Sequence, residues 1–263
     1  MSTQSPNFQP VIRVENVTIG YGSTVIQRNV EFDVHRGEVL VLLGGSGCGK
    51  STLLKHMIGL HEPFAGRILI HGQDLTSAHG EERNEILRSF GVMYQMGALF
   101  GSMTLLENVL LPLEEFTDLP REAMEAVARM KLELVGLGHV AHHLPDEISG
   151  GMQKRAAIAR AMALDPSILF LDEPSAGLDP VTSAELDHLI GMLKLHLVIT
   201  FVIVTHELAS IYAIADRAVF LDRETRTVAA IGRPSDLRDY AQVPSVRAFF
   251  RRQSEAVAHR SAR

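Results

Sequence analysis

The stretch VLVLLGGSGCGKSTLLKHMIGL, residues 39–60, decides the fold. Val39 to Leu43 are all apolar, the pattern of a strand buried on both faces. GGSGCGKST (44–52) follows at once and fits G-x-x-x-x-G-K-[ST]. Gly44, Gly47 and Gly49 let the backbone curl until its N–H groups point at phosphate oxygens. Gly45, Ser46, Cys48 and Thr52 complete the cradle, with Cys48 a small side chain that such a loop tolerates. Lys50 is expected to reach the β- and γ-phosphates as a point charge, and the Ser51 hydroxyl to ligate Mg²⁺. A helix is predicted from Thr52 to Leu60.

Working outward, two more apolar runs end in chemistry. ILFLDEP (168–174) is a buried strand that delivers Asp172 and Glu173 at its carboxyl end, where sheets of this kind bind ligands. Asp172 is suited to the metal shell, and Glu173 to orienting or deprotonating a water. FVIVTHE (201–207) repeats the form and ends at His206, a candidate γ-phosphate contact. Upstream, residues 11–34 are rich in Val, Ile and Thr, and Val30, Phe32 and Val34 alternate with Glu31 and Asp33 as in a half-buried strand.

The middle of the chain changes character. From Met103 to Ala163 the pattern is helical. Thr104 and Glu107 form a T-x-x-E capping box opening a helix through Leu111, and a second helix is predicted over 121–135. Asp179-Pro180 starts another, with Leu186, Leu189, Ile190 and Leu193 as its apolar stripe. Strands alternating with helices give an α/β fold with a mostly parallel sheet, interrupted by an inserted helical subdomain.

Composition sets limits. With 263 residues, 46% of them hydrophobic, the chain can bury a large core. A net charge of -6 argues against general nucleic-acid binding. Cys48 is the only cysteine, which excludes an internal disulfide framework and fits a reducing compartment. No apolar run approaches a membrane span, and MSTQSPNFQP lacks the pattern of a signal peptide. Beyond Pro244 the end is basic, with Arg247, Arg251, Arg252, Arg260 and Arg263 against Glu255.

ISGGMQKRAAIARAMA (148–163) poses a separate question: a serine and two glycines open a second helix start suited to an anion. In order, the motifs resemble the ATP-binding cassette (ABC) ATPases over residues 11–235. ISGGM is similar to that family's signature LSGGQ, with Met152 in place of the usual glutamine. Tyr21 matches the aromatic that stacks on adenine, Gln95 the Q-loop glutamine that senses Mg²⁺, SAGLD (175–179) the D-loop with Asp179, and His206 the switch histidine.

The resemblance implies a P-loop NTPase (RecA-like) core from 11–95 and 165–235, with an N-terminal antiparallel β region. It further implies an α-helical subdomain over 96–164 and a C-terminal extension over 236–263. ATP and Mg²⁺ are the implied cofactors. A head-to-tail homodimer is implied, in which Ser149, Gly150 and Gly151 of one copy grip the nucleotide on the other's phosphate loop. QMGALF (95–100), SGGM and ENVLLPL (107–113) resemble cassettes of MCE-type lipid transporters. Partners expected on that likeness are an integral-membrane permease, an MCE-domain protein and a STAS-domain regulator, at the cytoplasmic face of the bacterial inner membrane. A cassette for amino acids or another small solute stays open, as does a soluble cassette acting on ribosomes or DNA. Such soluble cassettes usually carry two cassettes per chain or a long coiled-coil insertion, and this sequence has neither.

Overall fold

Alternation along the buried strands divides the protein into two cores. The computed structural model describes residues 10–250, so the signal-peptide reading of the first residues and the arginines beyond Phe250 lie outside the described residues. In order, the elements are β1 (Pro10–Tyr21), β2 (Thr24–His35), β3 (Val39–Gly44), α1 (Lys50–Met57), β4 (Ala65–Ile70), β5 (Gln73–Asp74), α2 (Gly80–Arg88) and β6 (Phe90–Met93). The helical block follows as α3 (Leu105–Phe116), α4 (Arg121–Leu134) and α5 (Gly150–Ala161). Then come β7 (Ile168–Asp172), α6 (Pro180–Leu197), β8 (Thr200–Val204), α7 (Leu208–Ile214), β9 (Arg217–Asp222), β10 (Thr227–Gly232) and α8 (Pro234–Tyr240).

A six-stranded sheet runs β10-β9-β3-β8-β7-β6, parallel except for β10. A four-stranded antiparallel sheet, β2-β1-β4-β5, lies over it. Leu40, Leu42, Phe170, Val202 and Val204 face α1 and the antiparallel sheet, meeting Leu53, Leu54, Met57, Ile12, Val14 and Phe32. Val39, Val41, Leu169, Leu171, Phe201 and Ile203 face the other way, into a core shared with the helical block. Because each central strand is buried on both faces, its sequence reads as a continuous apolar run.

Helices α1 and α3 have boundaries that differ from the sequence expectation. α1 starts at Lys50, because Gly49 at φ 100° feeds the loop straight into the first turn. It stops at Met57, where Gly59 at φ 74° closes a Schellman motif: Leu60 N–H donates to the Lys55 carbonyl at 2.9 Å and Gly59 N–H to that of His56 at 3.0 Å. α3 has the Thr104–Glu107 capping box but runs through Pro112 to Phe116. Its apolar face of Leu105, Leu106, Val109, Leu110 and Leu113 is buried, which offsets the hydrogen bond lost at the proline.

Gly91 of β6 is where α5 meets the sheet. A Cβ there would lie 1.9 Å from the Ala161 carbonyl oxygen and 2.7 Å from Leu169 Cδ2. Backbone against backbone cannot yield as a side chain tip would. Gly91→Ala is therefore expected to destabilise the protein by about 1–3 kcal/mol, read as a lowered urea midpoint. An unchanged midpoint would mean that the sheet and α5 are not in this contact.

Candidate functional site

The carboxyl edge of the parallel sheet gathers the side chains. β3, β7 and β8 pair in register, Leu42 opposite Val204 and Val204 opposite Asp172, so their ends lie side by side. A cleft of about 1080 Å³ opens there, lined by Gly44 to Gly47, Gly49 to Thr52, Gln95, Glu173 and His206. The turn Asp222–Glu224 and residues Ser245, Ala248 and Phe249 form another part of its wall.

Within the loop, Gly44, Gly47 and Gly49 all have positive φ, at 148°, 73° and 100°. Lys50 Nζ donates to the Gly44 and Gly45 carbonyls at 3.0 and 3.2 Å. Cys48 turns its side chain under the loop, 1% exposed, and burial pushes its thiol pKa up. Any ligand contact it makes is therefore through its backbone.

Ser51 Oγ donates to Oδ1 of the buried Asp172 at 3.1 Å. Burial raises the pKa of Asp172, opposed by the Ser51 hydroxyl and then by Lys55, Lys50 and Lys154. Among the described residues no three His, Cys, Asp or Glu side chains converge on one point. That donor set still fits Mg²⁺, which needs one or two protein oxygens and completes its octahedron with waters and phosphate. Ser51 and Asp172 could supply those oxygens, with Gln95 on the same wall.

Glu173 follows with φ 47°, a left-handed conformation that few non-glycine residues adopt. Its N–H donates to the Val204 carbonyl at 2.8 Å. One carboxylate oxygen, Oε1, accepts from His206 Nδ1 at 2.9 Å. The other, Oε2, is buried with no hydrogen-bond partner among the described residues. Next to His206, Glu207 accepts from Ser183 of α6 at 3.3 Å.

Five expected residues lie elsewhere. Ser149, Gly150 and Gly151 do not line this cleft; Ser149 and Gly150 are exposed at the start of α5. Ser149 Oγ accepts the Met152 N–H at 3.3 Å as the helix N-cap, which leaves its hydroxyl proton free to donate. The two glycines differ: a Cβ at Gly150 meets nothing nearer than 3.8 Å, whereas one at Gly151 would lie 2.3 Å from Thr182 Cγ2. Asp179 caps α6, accepting from Val181 and Thr182 N–H at 3.0 and 3.2 Å and from the Thr182 hydroxyl at 2.5 Å. Tyr21 is 44% exposed with its ring edge-on to His61 at 5.4 Å, outside the residues lining the cleft.

Sequence reasoning missed the groups that hold the Gln95 loop. Lys154, buried in α5, donates to the Gln95 carbonyl. Arg160 donates to the Gly97 and Ala98 carbonyls at 2.9 and 2.7 Å, and burial lowers its pKa. Asn108, wholly buried, accepts from Phe100 N–H at 2.8 Å and donates to the Phe100, Met103 and Thr104 carbonyls. On a helical pattern such residues look like a solvent face, and only the fold turns them inward.

The family model described as ABC transporter matches residues 27–176. A probable ribonucleotide transport ATP-binding protein mkl of Mycobacterium leprae is 45% identical over 213 residues, 81% of this chain and 61% of that protein. The chain thus spans about three fifths of the length of the mkl proteins it matches. The intermembrane phospholipid transport system ATP-binding protein MlaF of Haemophilus influenzae is 39% identical over 81% of each chain. Among solved structures, the dimeric post-hydrolysis state of the ATP-binding cassette MJ0796, bound to ADP and Pi, is similar with a TM-score of 0.75. It is 30% identical, covering 84% of this chain and 98% of that one. CbiO1 of Clostridium perfringens, part of the transporter complex cbiONQ, has a TM-score of 0.79 at 28% identity, covering 88% and 91%. Phosphate loop, strand-end acids and histidine stand in one cleft on an α/β P-loop fold, and with these matches the chain belongs to the ABC transporter family as an ATP-binding cassette.

Proposed function

We propose that the chain is the ATP-hydrolysing subunit of a transporter that moves phospholipid through a membrane permease. The observation that carries this reading is the convergence of Lys50, Ser51, Asp172, Glu173 and His206 on one strand edge. A triphosphate in the cleft meets the loop N–H groups, and the Lys50 ammonium moves from the Gly44 and Gly45 carbonyls to the β- and γ-phosphates. Ser51 and Asp172, with Gln95 beside them, would hold Mg²⁺, which would neutralise phosphate charge. The Glu173 carboxylate accepts the proton of the attacking water, and His206, whose ring Nδ1 lies 2.9 Å from Glu173 Oε1, is the candidate γ-phosphate contact.

Tyr21 is the adenine platform in this reading. A second copy contributes Ser149, Gly150 and Gly151, whose exposed helix start is suited to an anion, with Asp179 near the shared boundary. The MJ0796 structures, which are dimers, support a pair of cassettes. No described helix is long and apolar enough to cross a membrane, so a permease would provide the passage. The MlaF relatives, named for intermembrane phospholipid transport, support phospholipid as cargo. An MCE-domain protein, a STAS-domain regulator and a place at the inner face of a bacterial inner membrane rest on the resemblance carried by residues 95–100, 107–113 and 149–152. The name of the mkl relatives supports a polar solute as a second reading. Purifying the native complex and identifying its proteins and bound cargo by mass spectrometry separates the two: co-purified phospholipid supports the first, a nucleotide cargo the second.

Glu173→Gln is expected to keep ATP affinity and lower turnover about 10²–10⁴-fold, with dimers accumulating in ATP on size exclusion. Near-normal turnover would refute its role as base. Gly150→Asp has room in the monomer. It should bind ATP normally yet fail to dimerise, because its carboxylate would oppose the partner copy's γ-phosphate. Normal hydrolysis by that variant would remove the signature from the site.

A further inference from the structure

Gln27 is a fully buried polar residue on β2, a strand that sequence reading gives no part in chemistry. Its carboxamide nitrogen makes two hydrogen bonds far apart in sequence. Nε2 donates to the Cys48 carbonyl at 2.7 Å and to the Asp222 carbonyl at 3.0 Å. Oε1 is buried and finds no partner among the described residues. The amide orientation is thereby fixed, because the reverse would set Oε1 against two carbonyl oxygens. A buried group that leaves its own acceptor unsatisfied is costly to keep.

The Cys48 bond acts on the phosphate loop itself. Every described peptide is trans, so the Cys48 carbonyl and the Gly49 N–H point in opposite directions. With the carbonyl drawn inward to Gln27, the Gly49 N–H is turned outward. The exposure pattern agrees: Gly49 lines the cleft and Cys48 lies beneath it. β2 also presses the loop from below, since a Cβ at Gly49 would lie 2.6 Å from Ile26 Cγ2 and 3.5 Å from Gln27 Cγ. At φ 100° Gly49 has little steric barrier to other torsions, so the peptide needs an outside hold to keep one direction.

The second bond supplies the anchor. Asp222 ends β9, and its carboxylate accepts from the Thr225 N–H and hydroxyl at 2.9 and 3.0 Å, which fixes the turn. Gln27 therefore ties a flexible glycine-rich loop to a rigid strand end. We propose that Gln27 is the positioning residue of the phosphate loop, holding the Cys48–Gly49 peptide so that the Gly49 N–H faces the α/β-phosphates of a bound nucleotide. It touches no substrate, and it acts on affinity rather than on the chemical step. The inference rests on the cleft being an ATP site.

Gln27→Met keeps the length and apolar volume and removes both donors. In the full chain, it is expected to raise the Kd of ATP and ADP alike by about tenfold, since both carry the α- and β-phosphates. KM for ATP should rise in step, with kcat at saturating ATP within about twofold of the unaltered chain. Unchanged Kd and KM, even with a lowered Tm, would make Gln27 a structural residue only and overturn the proposal. So would a fall in kcat at unchanged KM. Failure of the underlying reading looks different: the unaltered chain would then bind no ATP. If Gln27→Met does not fold, couplings across the hydrogen bonds from Gln27 Nε2 to the Cys48 and Asp222 carbonyls can be measured in the labelled unaltered chain. Their persistence on adding ADP supports the role, and their loss overturns it.

Discussion

Parallel pairing of β7, β8 and β3 is the constraint on which the rest depends. Parallel strands end on the same edge, so three apolar runs distant in sequence deliver Gly44, Asp172 and Thr205 as neighbours. The pairing is possible because helices and a second sheet cover both faces, leaving no strand surface to water. A polar residue within those runs would break one of the two cores. The chemistry is therefore confined to the residues just past the strand ends.

That confinement explains what could be read from sequence. The phosphate loop, Asp172, Glu173 and His206 follow apolar runs directly, and the Thr104 cap and the start of α6 at Asp179-Pro180 use local signals. The strand order in the large sheet is not local, and nothing in β9 or β10 announces that β9 pairs with β3. Gln27 was invisible because its acceptors are 21 and 195 residues away, so its neighbours on β2 say nothing of its role. The helix expected to end at Leu111 runs on through Pro112 because the packing of α3 overrides that local breaking signal.

The helical block is held to the cleft by backbone rather than by side-chain packing alone. Lys154 and Arg160 project from one helix onto the Gln95, Gly97 and Ala98 carbonyls of the loop over 95–98. Gly97 adds to this, its φ of 70° letting the loop approach to where a Cβ would sit 3.4 Å from that of Ala157. Hydrogen bonds from charged donors to carbonyls are among the stronger ones, and here they tie the loop to α5.

The left-handed backbone of Glu173 has a consequence for how such a protein ages under selection. A non-glycine residue in that region stores about 1–3 kcal/mol, and glycine or asparagine would release it. Selection for heat tolerance alone would favour those replacements and discard the carboxylate with the strain. In the proposed role as base, Glu173 would hold its carboxylate through activity alone, against the gain in stability that glycine or asparagine would bring.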